Sequence, residues 1–197
     1  MKRKFLTVLS LLLVCALVFG ACANRPDVPA EPEATATPEP MFTNPLTGEQ
    51  TYTDYSQTRP VAIMVENNHW DDGTLIAQGG LSQADIVYEM QVESITRNMF
   101  LFMDTDGLNN VFPIRSARSY FVSAALSYDA IFAHCGKSGE GLEFADTMLV
   151  NYTDADDIEV HEGSCGFRQY DAPYFGAVHS MTTTGERLQD LFAQYGT

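Results

Sequence analysis

An α/β fold is what this sequence predicts: a mixed sheet with a βαβ unit and a β-hairpin, and helices packed on the sheet. Three observations carry the prediction. Residues 114–136, IRSARSYFVSAALSYDAIFAHCG, place Ala117, Tyr120, Phe121, Ala124, Ala125 and Tyr128 at helical spacing, and a short apolar run at 130–133 follows. Residues 86–93 alternate, with Ile86, Tyr88, Met90 and Val92 on one face and Val87, Glu89, Gln91 and Glu93 on the other. Residues 96–103, TRNMFLFM, form a second strand just past a turn at Ser94, which makes the pair a hairpin.

The βαβ unit takes residues 111–114 as its first strand, the helix from Ala117, and residues 130–133 as its second strand. If the two strands are parallel, the crossover is right-handed. Arg115 then follows the C-terminal end of the first strand and His134 ends the second, on the sheet edge where open α/β sheets place ligands. Ser116 stands where a cap would satisfy free N–H groups at the helix start. Arg115 and Arg118 flank that start, against the helix dipole, and guanidiniums beside free N–H groups suit a carboxylate or phosphate. The competing reading is that Arg118 pairs with one of the chain's own carboxylates.

Elsewhere, residues 60–66, PVAIMVE, form a strand with its proline at the start, where no ladder hydrogen bond is lost. Residues 67–73 are a polar turn. Arg97 is expected near Glu93 across the hairpin. Ser138 is expected to cap a short helix with Leu142, Ala145, Met148 and Leu149 inside. Residues 151–159 read as a solvated acidic loop and residues 163–176 as an irregular one. A final helix spans 186–195, with Leu188, Leu191 and Phe192 inside.

The chain has 197 residues, enough for one domain and a tail. Lys2, Arg3 and Lys4 precede an apolar run over 5–19, the pattern of a secretory signal peptide in residues 1–21. Phe19-Gly20-Ala21-Cys22 resembles a bacterial lipobox, so Cys22 is the expected lipidation site, with Phe19 where Leu is usual. Residues 22–43 are rich in Pro, Ala, Thr and Glu and read as a disordered tether. The folded domain is expected over 44–197. The expected location is extracytoplasmic, on the outer face of the cell membrane, with the lipid on Cys22 as the membrane contact.

The formal charge is −15, and losing the leader removes three basic and no acidic residues, leaving −18. Such an acidic body does not suit nucleic acid, whose phosphates dominate binding. Past Cys15 and Cys22, Cys135 and Cys165 remain as a candidate disulfide in an exported protein. Gly136-Lys137-Ser138 does not make a phosphate loop, because Ile131 stands where the first glycine belongs. Asp154, Asp156 and Asp157 do not fit a calcium loop. His161 and Cys165 have a ligand-like spacing, yet no CxxC pair accompanies them, so no metal and no cofactor is expected.

The segments RPVAIMVENN, GLSQADIVYEM followed by ITR, IRSARSYF and SYDAIFAHCG resemble the YerB-like lipoproteins, a domain-of-unknown-function family of Gram-positive envelopes. In that family the domain follows a lipoprotein signal and precedes a second, smaller domain, which is not expected within these 197 residues. The resemblance implies Glu89, Arg97, Arg115, Ser116, Arg118, His134 and His179 as site residues. Ser119 stands where the family tends to have proline, and Ala177-Val178-His179-Ser180 is a loose version of its Ala-Pro-His-Asn segment. No established reaction comes with the family. Two functions are therefore expected. In the first, the domain is a binding module that holds an anionic envelope ligand, glycan, peptide or protein, against Arg115, Arg118 and His134. In the alternative, it is an envelope hydrolase or transferase using His134 or His179 with Glu89 and Arg118, although no nucleophile motif accompanies them. A structural adaptor with an exposed apolar patch is a third option.

Overall fold

Five consecutive apolar residues, 61–65, are all buried, which is what a central strand covered on both faces requires. The computed structural model describes residues 39, 41–69, 73–136, 157–169 and 179–195. In chain order these form β1 (Phe42–Thr43), β2 (Gln50–Thr51), β3 (Val61–Asn67), a 3₁₀ turn at Leu81–Gln83, β4 (Ile86–Val92), β5 (Ile95–Phe102) and helix α1 (Ser119–Leu126). Then follow β6 (Ile131–His134), β7 (Asp157–Glu159), β8 (Phe167–Arg168), β9 (Met181–Thr182) and helix α2 (Gly185–Tyr195). The signal peptide, the tether with Cys22, and the helix expected after Ser138 lie outside the described residues.

The main sheet has the order β4-β5-β3-β6-β7. β4 and β5 are the predicted hairpin, paired from Ile86 opposite Leu101 to Val92 opposite Ile95. β5 runs antiparallel to β3, with Glu66 opposite Arg97. β6 runs parallel to β3, with Val61 beside Ile131, and β7 extends the parallel part. The sheet is thus mixed, and α1 connects residues 111–115 to β6, which lies parallel to β3 although β4 and β5 come between β3 and α1 in the chain. The end of the predicted acidic loop is a strand instead, because Ile158 buries its side chain beside β6. Within the predicted irregular loop, Phe167 and Arg168 pair with β9.

Alternation along β3 divides the core. Val61, Ile63 and Val65 face Phe100, Phe102, Ile131, Leu188 and Met181, with Leu191 and Phe192 of α2 packed beside them. Ala62 and Met64 face Phe121, Val122 and Ala125 of α1, with Met99, Leu101 and Phe132. Four phenylalanines, at 100, 102, 121 and 132, are fully buried. Each is worth about 1.5–3 kcal/mol of apolar burial. At the other end, the Asn44 side chain donates to Asp85 Oδ1 at 2.8 Å and ties the β1–β2 hairpin to the start of β4.

One expectation is corrected. Residues 111–114 are not the strand beside β6 in a parallel pair. They form isolated bridges, with Ile114 antiparallel to Val65 and Val111 antiparallel to Thr183. The segment enters where β3 and β6 part: Arg115 N donates to Met64 O, while Arg115 O accepts from Cys135 N. The parallel partner of β6 is β3, whose longer apolar run can be buried on both faces.

Candidate functional site

The wedge formed by residues 111–115 sets the site. It brings Arg115 to the C-terminal end of β3, where Glu66 ends the apolar run with a carboxylate that is fully buried. Arg115 Nε lies 2.9 Å from Glu66 Oε2, and His179 Nδ1 lies 3.2 Å from the same oxygen. A carboxylate oxygen can only accept there, so Nδ1 of His179 is the donor. Arg115 Nη1 is 3.5 Å from that nitrogen. Across the ladder from Glu66 stands Arg97, 4% exposed, whose Nη1 donates to Ser116 O at 3.0 Å.

Arg118 completes the group. Its Nη1 also reaches Ser116 O, at 3.3 Å, and Ala117 O at 3.0 Å. Its Nε and Nη2 hold the two oxygens of Glu93 at 2.9 and 3.2 Å, a two-point ion pair. The competing reading of Arg118, pairing with a carboxylate of the chain, is thus what the structure contains. Glu93 is placed by the tight β4–β5 turn, where its own φ is +37°. The expected Arg97–Glu93 neighbour pair is replaced: Met90 is opposite Arg97, and Glu93 turns to Arg118.

The electrostatics follow from this crowding. Burial, then the charges of Arg118 and Arg115, push the Arg97 guanidinium down to about 10, against the opposing pull of Glu66 and Glu93. The hydrogen bond from Arg118 holds the Glu93 carboxyl below its ordinary value. Among the described residues, the buried atoms Glu66 Oε1, Arg97 Nε and Asn98 Oδ1 have no hydrogen-bond partner. Glu66 Oε1 and Arg97 Nε belong to residues opposite one another on β3 and β5.

Among the predicted site residues, the structure brings together Arg97, Arg115, Ser116, Arg118 and His179. Ser116 contributes through its carbonyl oxygen and does not cap the helix: α1 begins at Ser119, with Arg118 as its N-cap residue and no side-chain cap. His134 stands apart. Its Nδ1 is 2.9 Å from Gly136 O and its Nε2 2.9 Å from Asp157 Oδ1, and the ring is fully buried. Both nitrogens serve the fold. Glu89 also stands apart, accepting from Asn67 Nδ2 at 2.7 Å on the exposed edge strand. A catalytic pair of Glu89 with either histidine is therefore not assembled.

Two residues escaped the sequence reading. In the sequence Glu66 reads as the last residue of a strand, although a lone carboxylate ending an unbroken apolar run is itself a signal. Gln78, in an irregular stretch, donates its side-chain amide to Glu66 O and accepts from Asn98 Nδ2 at 3.4 Å. Cys135 and Cys165 are free thiols, so the candidate disulfide is absent, and burial pushes both thiols up. The His161–Cys165 spacing serves a turn, in which His161 Nδ1 accepts from Gly163 N at 3.0 Å.

Comparison with known proteins adds context. Residues 46–196 match the family described as "Protein of unknown function (DUF3048) N-terminal domain". The chain is 34% identical over 195 residues to "Putative lipoprotein YerB" of Bacillus subtilis (strain 168), covering 98% of this chain and 53% of that protein. The crystal structure of YerB protein from Bacillus subtilis superposes with a TM-score of 0.62 at 31% identity, over 79% of this chain and 50% of that one. The chain spans about half the length of these relatives.

Proposed function

Because the chain belongs to the family of proteins of unknown function DUF3048, as its N-terminal domain, we propose that it is an extracytoplasmic lipoprotein whose folded domain binds an anionic ligand of the cell envelope. The relative's name supports the lipoprotein part, and Cys22 is the residue that would carry the acyl chains. Two chains on one cysteine are enough for stable anchoring, and an acidic body would need them, since anionic headgroups repel it.

One observation carries the binding part. Three guanidiniums, those of Arg97, Arg115 and Arg118, converge at the end of β3 against two carboxylates, Glu66 and Glu93. Among these five groups the guanidiniums outnumber the carboxylates, in a chain whose total is −15. An anion placed there relieves the mutual repulsion of the arginines. Arg115 and Arg118 keep 16% and 12% of their side chains exposed, so the cluster reaches the surface.

The test is ligand-induced thermal stabilisation of the purified chain against a panel running from inorganic phosphate to anionic peptides and glycan fragments. At least one anion should raise the melting temperature of the native chain, and the double variant Arg97→Met, Arg118→Met should lose that rise. A rise that survives the double substitution ends the reading.

A further inference from the structure

We propose a second binding site, for a free amino acid with an aliphatic side chain, in the cleft between helix α2 and the turn at residues 161–165. The cleft has a volume of about 430 Å³, within the range of sites that hold small molecules. None of its lining residues belongs to the arginine cluster, so it stands independently of the anion-binding reading. One wall is a single helical stripe: Arg187, Asp190, Leu191 and Gln194 follow the spacing i, i+3, i+4, i+7. The other wall is His161 with the turn that holds it, and Cys165, 3% exposed, forms the floor.

Two donors are held in position around it. The Arg187 guanidinium rests over the Phe167 ring, 4.8 Å from its centroid, which orients the planar group and leaves its N–H edges open. Its charge reaches the floor: burial pushes the Cys165 thiol up, while bonds with Thr183 and Ser164, and then the Arg187 charge, pull it back. His161 is fixed by its own turn. Its carbonyl accepts from Ser164 N and Gly166 N, its backbone N–H donates to Ser164 Oγ, and its Nδ1 accepts from Gly163 N at 3.0 Å. An accepting Nδ1 places the proton of the neutral ring on Nε2, so the remaining nitrogen is a donor. His134 engages both ring nitrogens in the fold, whereas His161 engages one.

Two acceptors share the helix stripe with Arg187. One is the Asp190 carboxylate. The other is Gln194 Oε1, since the Gln194 amide N–H donates to Asp190 O at 3.2 Å. Among the described residues neither Arg187 nor Asp190 enters an ion pair, although residues three apart on a helix stand about 5–6 Å apart at Cβ. A cleft with an unpaired cation and an unpaired anion selects by charge. A simple anion meets Arg187 and His161 but is repelled by Asp190. A simple cation meets Asp190 and is repelled by Arg187. An amino acid carries a carboxylate and an ammonium on one carbon and satisfies both at once. Leu191 and Cys165 supply apolar surface against which an aliphatic side chain packs.

The experiment is calorimetric titration of the full chain with leucine of either chirality and with two half-ligands: 4-methylpentanoate, which lacks the ammonium, and 3-methylbutylamine, which lacks the carboxylate. One chirality of leucine should bind. Each half-ligand should bind about tenfold or more weakly, because it leaves one charged group of the cleft without a counterpart. Arg187→Met should abolish leucine binding and Asp190→Asn should weaken it. Both positions are exposed, so both variants should keep the melting temperature of the native chain. Equal affinity for leucine and either half-ligand overturns the proposal, as does leucine binding that survives Arg187→Met. So does the absence of heat from both chiralities of leucine at millimolar concentration. The arginine cluster is untouched by any of these results and is decided by the anion panel.

Discussion

Arg97 and Arg118 donate to one and the same oxygen, the carbonyl of Ser116, at 3.0 and 3.3 Å. Two guanidiniums brought that close must be held by something other than each other. Arg118 is held by Glu93, and Arg97 by the ladder position opposite Glu66. Arg97 is thus a poor contributor to stability. Its burial and its like-charged neighbours oppose it, so Arg97→Met should change the unfolding free energy by less than about 1 kcal/mol. Chemical denaturation measures it, and a loss several times larger would show that Arg97 is a structural pivot.

Glu66 should behave in the opposite way. It is the shared partner of Arg115 and His179, and Glu66→Ala takes a carboxylate from a mostly buried guanidinium. Breaking such a pair from one side costs about 3 kcal/mol. The comparison with Arg97→Met, made by urea denaturation on the same day and buffer, is more telling than either value alone.

The Glu93–Arg118 pair lies nearer the solvent, with 61% of the Glu93 side chain exposed. Screening keeps its worth small. Because the folded carboxyl is held below its ordinary value, the pair's contribution is fully present above that value and is lost as pH falls through the folded one. Melting temperature should therefore drop slightly more between pH 5 and about 3 in the native chain than in Glu93→Gln. Parallel curves would mean that the pair adds nothing.

His134 is expected to matter for the fold and not for the ligand. It links Gly136 O to Asp157 across β6 and β7, fully buried. His134→Leu should remove both links and cost about 2–3 kcal/mol, with the affinity for any anion found unchanged at temperatures where the variant is folded. A large affinity change without loss of stability would restore His134 to the site.

Gly136 offers a backbone test. Its φ is +80°, and a Cβ there would stand 3.3 Å from Ser116 Oγ. Gly136→Ala should destabilise by about 1–2 kcal/mol, and Gly136→Asn by less, because Asn tolerates the left-handed region better. Thermal unfolding of the two variants measures the difference.

Periodicity made much of the fold legible. The alternation in residues 86–93 located the hairpin, and Phe121 and Ala125 located α1 on its sheet. Residues 111–114 misled, because four residues of apolar character say nothing about which neighbour they pair with. That choice depends on how β3 and β6 diverge, which is a property of the whole sheet. The same limit applies to the site. Arg115, Ser116 and Arg118 are neighbours in sequence and were legible, whereas Glu66 reaches them only through the ladder. His134 was the reverse case: a polar residue ending a buried strand looks like a ligand group until its two acceptors are seen.

The wedge at residues 111–115 has a bearing on motion. Ile114 N is bonded to Met181 O, Arg115 N to Met64 O, and Arg115 O to Cys135 N, so three separate parts of the chain grip two adjacent peptide units. Amides so gripped exchange with solvent only when a larger unit opens, and the guanidinium they carry is already pinned before any guest arrives. Recognition at this rim should accordingly run as docking onto a rigid seat, with little backbone adjustment and a correspondingly small entropic penalty.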